Sequence, residues 1–339
     1  MEGRDAFRVA VACNIKTDRT SDAEAEFDES GTVEAICSAL RSGGFEILVI
    51  EATDRFPQKL EEASPDFVFN IAEGRSGRSR EALIPAILEY YGIPFTGSDT
   101  AALCAAMDKA MAKRIAASCG VETPAFRVVS HGDLEPPHGL PFPVLVKPNA
   151  EGSSKGVHDD CVAGNAEQLR SLIDRRMIDY DCDFLAEQFI DGREFTVGIL
   201  GNGKDIQIFE PMEIIYRKLR GPYRVYSYEV KQNYKEYVTY ECPPDLPGEI
   251  ITKMKRDAET VYKALGCLDL ARVDFRLSDE GRLFFIEANP LPGLAPGYSD
   301  FPMLASFNGI KYDDLVRMIL DCAMKRYGMR TMGKDEQNE

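Results

Sequence analysis

Residues 272–293 constrain the fold more than any other segment. Arg272-Val273-Asp274-Phe275 and Phe284-Phe285-Ile286-Glu287-Ala288-Asn289 are apolar runs separated by Leu277-Ser278-Asp279-Glu280-Gly281-Arg282, and Pro290, Pro292 and Gly293 close the second run. Runs of this composition and length predict two strands joined as a hairpin. Asp274 lies on the first. Glu287 and Asn289 lie two apart on the second, so they share a face. Three oxygen donors converging from paired strands suit Mg²⁺, a hard cation that prefers carboxylates, carbonyls, water and phosphate oxygens. The bland alternative is a hairpin with a solvated acidic face.

A second segment favours the sharper reading. Lys147 ends the apolar run Phe142-Pro143-Val144-Leu145-Val146-Lys147-Pro148, and Asn149-Ala150-Glu151-Gly152-Ser153-Ser154-Lys155-Gly156-Val157 follows. A small-residue loop after a strand lets backbone N–H groups close on phosphate oxygens, and a strand-borne lysine adds a point charge. No G-x-x-x-x-G-K-[ST] occurs, so this is not a Walker loop. Residues 106–113 read as helical and supply a second candidate cation, Lys109. Residues 184–197 read as two apolar runs around an acidic turn, Asp191-Gly192-Arg193.

The N-terminal part alternates between the two periodicities. Strands are expected at 7–13, 46–50 and 67–71, and helices at 31–42, 57–63 and 81–91, with Val33, Ile36, Cys37 and Leu40 on one stripe of the first. Such alternation argues for parallel βαβ units, whose ligands gather at the carboxyl ends of the strands. Residues 70–81, after the third strand, carry Arg75, Arg78 and Arg80 among glycines. Arginine is suited to bidentate recognition of a carboxylate, so a substrate carboxylate contact is expected there, with a solvated basic turn as the alternative. Residues 216–240 hold Tyr216, Tyr223, Tyr226, Tyr228, Tyr234, Tyr237 and Tyr240 among charges, which predicts a long loop acting as a lid. The expected organisation is an α/β chain, α+β in its second half, of three domains at 1–98, 99–190 and 191–328, with a polar tail at 329–339.

Charge and cysteine usage exclude several function classes. The 339 residues carry 40 basic and 56 acidic side chains, a net charge of -16, which argues against a nucleic-acid binder and against attachment to anionic membranes. No apolar run reaches membrane-spanning length and no signal pattern opens the chain. The nine cysteines form no C-x-x-C pair. They read as free, buried thiols of a cytoplasmic protein rather than as a disulfide framework. Three histidines (His131, His138, His158), none at metal-ligand spacing, disfavour zinc chemistry and Ser-His-Asp catalysis.

The ordered set Met-Asp-Lys (107–109), Val-Lys-Pro (146–148), Glu-Gly-Ser-Ser (151–154), Gly-Arg-Glu-Phe-Thr-Val (192–197), Arg-Val-Asp (272–274) and Glu-Ala-Asn (287–289) resembles the ATP-grasp superfamily, and within it the D-alanine–D-alanine ligases. The resemblance implies ATP held between two antiparallel sheets. Lys109, Lys147 and Lys231 would meet its phosphates, with Ser153 and Ser154 in the covering loop, while Glu187, Gln188, Phe189 and Ile190 would lie along adenine. Glu194 would accept the ribose hydroxyls. Asp274, Glu287 and Asn289 would hold two Mg²⁺, for which Mn²⁺ can substitute. Arg272 would stabilise charge on the transferred phosphoryl group or the tetrahedral intermediate, with Ser153 and Lys231 in the catalytic network. The partners implied are a small-molecule carboxylate donor and an amine acceptor, with a homodimer left open.

The resemblance also breaks in places. Tyr298, followed by Ser299 and Asp300, stands where the relatives carry a serine that holds the acceptor's carboxylate. Residues 289–294, including Gly293, are bulkier and stiffer than the family's Asn-Thr-Ser-Pro-Gly-Met. Gln232 stands at the position of the lid tyrosine. A basic segment replaces the glycine-rich His-Gly segment beside the first substrate. The glutamate that binds the donor amine has four candidates, Glu24, Glu26, Asp28 and Glu29. Ser299-Asp300 before Phe301-Pro302 also reads as a helix N-cap. Alternatives to D-alanine ligation are therefore a ligase for another amino acid or amine pair in natural-product assembly, and a nucleotide-binding regulatory protein without turnover.

Overall fold

Strand and helix alternate at the start of the chain, as the periodicities predict. The computed structural model describes residues 6–18, 24–130, 137–219 and 221–329. From residue 330 on, the expected polar tail lies outside them, as does His131. Strands β1 (Arg8–Cys13), β2 (Glu46–Glu51) and β3 (Phe67–Asn70) pair in parallel in the order β2-β1-β3, linked by α1 (Ser30–Ser42) and α2 (Phe56–Ala63) and followed by α3 (Arg80–Tyr91). The predicted stripe of α1, from Val33 to Leu40, is buried.

Two helices, α4 (Thr100–Met107) and α5 (Lys109–Ser118), come next. The break between them is made by Asp108, whose backbone is extended and whose carboxylate caps α5 by accepting from Met111 N–H at 2.9 Å. Four antiparallel strands follow, β4 (Phe126–Val129), β5 (Val144–Pro148), β6 (Val162–Ala163) and β7 (Phe184–Gln188), in the order β4-β7-β5-β6 with α6 (Ala166–Asp179). Their apolar residues, Val129, Val144, Val146, Leu169, Leu172 and Phe184 among them, form a core of their own.

The next sheet is antiparallel and six-stranded. It contains β8 (Gly192–Leu200), β9 (Gln207–Ile208) and β10 (Met212–Tyr216). After the short helices α7 (Tyr228–Gln232) and α8 (Tyr234–Tyr237) come β11 (Val238–Glu241), α9 (Gly248–Ala264), β12 (Leu270–Ser278) and β13 (Leu283–Asn289). The order is β11-β10-β8-β12-β13, with β9 on β8. The tyrosine-rich segment is thus not one long loop. Ser227 caps α7 with its side chain, and β11 pairs with β10. Helices α4 and α5 pack on this sheet through Ala106, Ala112 and Ala116 rather than on the four-stranded one. Finally α10 (Asp300–Phe307) and α11 (Tyr312–Arg326) return to the first sheet, where Phe301, Leu304, Leu315 and Ile319 share a core with Val9, Val11, Phe67 and Phe69.

All nine cysteines are unpaired, and Cys13, Cys37, Cys161 and Cys267 are buried as expected. Cys119 is exposed and the other four are half-buried. Among the described residues no helix is long and apolar enough to cross a membrane.

Asp269 joins the first sheet to the third. It is 0% exposed. Its carboxylate accepts from Gly97 N–H at 2.8 Å, from Asn202 Nδ2 at 2.6 Å, and from Arg326 Nη2 at 2.9 Å. Removing the anion would leave the Gly97 N–H without its acceptor and strip the counter-charge from Arg326, which would keep only the Phe95 and Gly97 carbonyls. Asp269→Ala is expected to destabilise the fold by about 3–5 kcal/mol, read from the urea midpoint. A change below about 1 kcal/mol would mean that the network does not tie the parts together.

Candidate active site

The four- and six-stranded sheets face each other across a cleft lined by residues of β5, β7, β8, β12 and β13. On the first side, the end of β5 presents Lys147 with its Nζ 2.8 Å from Glu187 Oε1 on β7 and 4.0 Å from Glu287 on β13. Lys109, at the start of α5, lies 3.5 Å from Glu287 and donates to the Glu151 carbonyl at 2.5 Å. One turn on, Lys113 is 0% exposed and pairs with Glu187 Oε2 at 2.8 Å. Burial alone would push Glu187 up, but Lys113 and Lys147 more than reverse it, so it stays ionised. Burial lowers Lys113 to about 8 in spite of Glu187.

The backbone after Glu187 is anchored at several points. Gln188 N–H donates to the Ala125 carbonyl and Phe189 N–H to the Pro143 carbonyl, both at 2.8 Å. The Ile190 carbonyl accepts from Arg276 Nη1 at 2.7 Å, and the guanidinium stacks on the Phe189 ring at 4.8 Å. Glu194 on β8 accepts from Tyr216 Oη and from Arg276 Nη2, each at 2.7 Å. Glu187 to Ile190 and Glu194 therefore line one end of the cleft together, beside Leu145, Phe195, Ile214 and Ile286. An apolar slot ending in a carboxylate suits a purine nucleoside.

At the other end the predicted hairpin brings its donors together. Asp274 pairs in register with Glu287, and Arg272 with Asn289, and the ladder shifts between Asp274 and Phe275. Thr196 Oγ1 donates to Asp274 at 2.7 Å. Burial raises Asp274, with Arg272 acting in the opposite direction. Burial likewise acts on Glu287, but Lys109, Lys147 and Arg272 outweigh it and hold its carboxyl at about 2. Asn289 Oδ1 accepts from Leu291 N–H at 3.0 Å, which fixes the amide and leaves that oxygen a second lone pair. Two carboxylates and an amide, all oxygen donors, fit Mg²⁺ and suit softer metals poorly. Arg272 Nη2 donates to Asp274 at 2.9 Å and Nη1 to Asp300 at 3.1 Å, so the guanidinium is bracketed by two carboxylates.

The small-residue loop covers this charged centre and the tyrosine-rich segment docks on it. Ser153 and Ser154 both adopt positive φ, 49° and 57°. Ser154 Oγ donates to the Tyr226 carbonyl at 2.9 Å, Lys231 Nζ donates to Ser153 Oγ at 3.3 Å, and Tyr228 N–H reaches the Val157 carbonyl at 3.0 Å. Burial lowers Lys231, helped by repulsion from Arg272.

The three arginines of residues 70–81 have different surroundings, and none lines the cleft. Arg75 is exposed. Arg78 pairs with Asp108 at 2.8 Å. Arg80 is buried and fully engaged, donating to both oxygens of Glu26 (2.5 and 2.8 Å) and to the Ala150 carbonyl at 2.9 Å. This leaves no fork on Arg80 for a substrate carboxylate. Among the four acids of the early loop, only Glu26 comes near the cleft loop, accepting from Gly152 N–H at 2.8 Å. A Cβ on Gly152 would stand 2.4 Å from that carboxylate, so a larger residue there would have to push Glu26 aside. Glu24 instead caps Thr17 and Asp18, Asp28 is half-buried and desolvation raises it to about 7, and Glu29 precedes α1.

Near α10, Asp300 lines the cleft, whereas Gly293, Tyr298 and Ser299 do not. Ser299 starts the helix by its backbone, but its Oγ accepts from Ala295 N–H at 3.1 Å rather than capping. Tyr298 packs edge-on against Tyr234 at 5.9 Å. Sequence reasoning missed Lys113, Arg276, Thr196 and Glu81, the last of which also lines the cleft. Only Lys113 had a readable signal, one helical turn from Lys109 on the same face.

The family described as D-ala D-ala ligase C-terminus matches residues 117–321. The D-alanine–D-alanine ligase of Geobacter sulfurreducens is 34% identical over 289 residues, 84% of this chain and 86% of the relative. That of Aquifex aeolicus is 34% identical over 297 residues, 85% of this chain and 93% of the relative. A crystal structure of the D-alanine–D-alanine ligase of Bacillus anthracis complexed with ATP superposes with a TM-score of 0.73 at 24% identity, covering 95% of this chain and 99% of that one, which establishes the shared ATP-grasp fold. Sequence match and architecture coincide, and the chain belongs to the D-alanine–D-alanine ligase family.

Proposed function

We propose that this protein is an ATP-dependent carboxylate–amine ligase of the D-alanine–D-alanine ligase type, joining a small-molecule donor to an amine acceptor through an acyl phosphate. The observation that carries the reading is the meeting of Lys109 and Lys147 with Glu287, at 3.5 and 4.0 Å, across one cleft that also holds Asp274, Asn289 and Arg272. The domains read from the sequence are 1–98, 99–190 and 191–328, with α4 and α5 packing on the sheet of the third rather than on that of the second, and the place of action is the cytoplasm, where ATP is supplied.

In this reading Lys109, Lys147 and Lys231 bind the phosphates and Glu194 the ribose, while residues 187–190 flank adenine. Asp274, Glu287 and Asn289 would hold Mg²⁺, which when bound would supply charge neutralisation at the phosphates. A donor carboxylate attacks the γ-phosphorus and ADP leaves. The acceptor's neutral amine then adds to the acyl carbon, the tetrahedral intermediate expels phosphate, and the amine proton is lost to solvent or base. Arg272 faces the oxygens on which charge develops, and a positioned cation there acts at no cost in reorganisation. Ser153, Ser154 and Lys231 join lid to loop and exclude water, which would otherwise hydrolyse the acyl phosphate.

Phosphate release by purified protein, screened over paired D- and L-amino acids, amines and small carboxylates, tests the reading. Release should require ATP, a donor and an acceptor together. ATP hydrolysis indifferent to both organic substrates, or silence with every pair, would remove it.

A second reading, of the acceptor, rests on the Arg272–Asp300 pair at 3.1 Å. An acceptor carboxylate that sought Arg272 would meet Asp300 first, so an acceptor lacking that group, or bulkier than D-alanine, fits better.

A further inference from the structure

Arg276 stands on β12 directly opposite Glu194 of β8, lines the cleft, and is 7% exposed. A buried guanidinium is costly unless its donors are answered, and here the acceptors come from three segments. Nη1 donates to the Ile190 carbonyl at 2.7 Å, between β7 and β8. Nη2 donates to Glu194 Oε2 at 2.7 Å and also to the Arg224 carbonyl, which belongs to the tyrosine-rich segment. Its Cζ lies 4.8 Å from the centre of the Phe189 ring, which Tyr223 meets edge-on at 5.2 Å. Tyr216 Oη donates to the same Glu194 Oε2, at 2.7 Å. Burial, then the Glu194 charge, pushes that hydroxyl well above its ordinary value, so it remains a donor. Both side-chain donors thus meet one oxygen of Glu194, which leaves Oε1 to accept from a ligand.

We propose that Arg276 is a positioning residue that couples closure of the tyrosine-rich lid to recognition of the nucleotide's ribose. Glu194 is taken here as the ribose carboxylate, as in the ligase reading above. The guanidinium holds Glu194 by Oε2 and so orients Oε1 for the ribose, while the same Nη2 group holds the lid backbone at Arg224. When the lid leaves, Nη2 loses one of its two acceptors and its hold on Glu194 loosens. When ribose draws on Oε1, the carboxylate is fixed, and with it the guanidinium on which the lid docks. Such coupling is reciprocal, so ribose recognition and lid closure strengthen each other. The strands do not need Arg276 as a strut, because β8 and β12 pair in continuous register from Gly192 to Leu200.

Calorimetry and limited proteolysis on the full chain with Mg²⁺ test this without turnover. The probes are the β,γ-imido analogue of ATP and its 2′,3′-dideoxy counterpart. The unmodified protein should bind the first at least about tenfold more tightly than the second, and saturation with the first should slow cleavage within residues 216–240. Arg276→Met should cut the affinity margin to about threefold or less and, at saturation, speed cleavage of the lid by at least about fivefold. Tyr216→Phe removes the other donor to Oε2 but not the tie to Arg224, so it should narrow the margin and keep the protection. Should Arg276→Met fail to fold, Arg276→Lys, which keeps a cation beside Glu194 without the fork, takes its place and should show both losses. Margin and protection both unchanged in the Arg276 variant, or one lost without the other, overturns the coupling and leaves the ligase reading standing. An unmodified protein that binds the two analogues equally would remove Glu194 as the ribose carboxylate and the coupling with it. Failure to bind either analogue would remove the ligase reading as well.

Discussion

Glu287→Gln is expected to lower turnover by at least about two orders of magnitude while leaving the fold intact. Glutamine is nearly isosteric with glutamate, so packing on β13 is kept. What changes is charge. Glu287 is ionised at neutral pH because Lys109, Lys147 and Arg272 overcome the effect of burial and hold its carboxyl at about 2. A folded-state value below the ordinary 4.5 means that the group contributes stability above that value and loses it as the pH falls toward 2. The variant therefore gives up some stability at neutral pH, and a fall in melting temperature without loss of cooperative unfolding is expected. The larger effect is on chemistry. The substitution removes an anionic oxygen donor from the proposed Mg²⁺ site and leaves two lysines less compensated. Those lysines still attract phosphate, so the KM for ATP should change less than kcat. Near-normal ligation or ATP hydrolysis by this variant would end the metal assignment.

Acceptor choice should show the second large effect. In steady-state competition, alaninamide or a larger amine is expected to exceed free D-alanine in kcat/KM by about tenfold to a thousandfold, since a close like-charge contact in a partly buried site costs on the order of 1–4 kcal/mol. Asp300 is 7% exposed and lines the cleft. It already occupies one edge of the Arg272 guanidinium, and Asp274 occupies another. A carboxylate arriving there must displace one of them or lie against both. Asp300→Asn should then narrow the discrimination by restoring part of the positive field of Arg272. A clear preference of the unmodified enzyme for free D-alanine would refute this reading and restore ordinary D-alanine–D-alanine ligation.

The hairpin that carries Asp274, Glu287 and Asn289 could be read from sequence because every signal for it is local. Apolar runs, their turn, and the two-residue spacing of Glu287 and Asn289 need no partner elsewhere in the chain. The same holds for Lys147 at a strand end and for the βαβ alternation. The early acidic loop was unreadable for the opposite reason. Glu26 differs from Glu24 and Glu29 only through Arg80, 54 residues away, and Gly152, 126 residues away. The tyrosine-rich segment was misjudged as one loop because aromatic and charged residues masked two short helices, although Ser227, whose Oγ accepts from Val230 N–H at 3.4 Å, was available as a cap signal. The arginines were misleading as a group. A bidentate fork does recognise a carboxylate there, but in the case of Arg80 it is the protein's own.

The separate core of the four-stranded sheet decides which way the molecule can open. The first and third sheets are bound through a shared apolar core and the Asp269 joint, so parting them would wet Phe67, Phe69, Phe301 and Leu315. Swinging the four-stranded sheet outward exposes far less oil, because its own interior travels with it. The tyrosine-rich segment is stitched to that sheet by Val225 and Tyr223 against Phe189 and Cys161. Its Val230, Tyr226 and Tyr234 pack on Ile214, Val238 and Tyr240 of the six-stranded sheet as well, so the segment straddles the two sheets and any outward swing of Lys147 must pull against it. Polar contacts that cross the cleft are weakened by salt, so parting the sheets is expected to become easier as ionic strength rises.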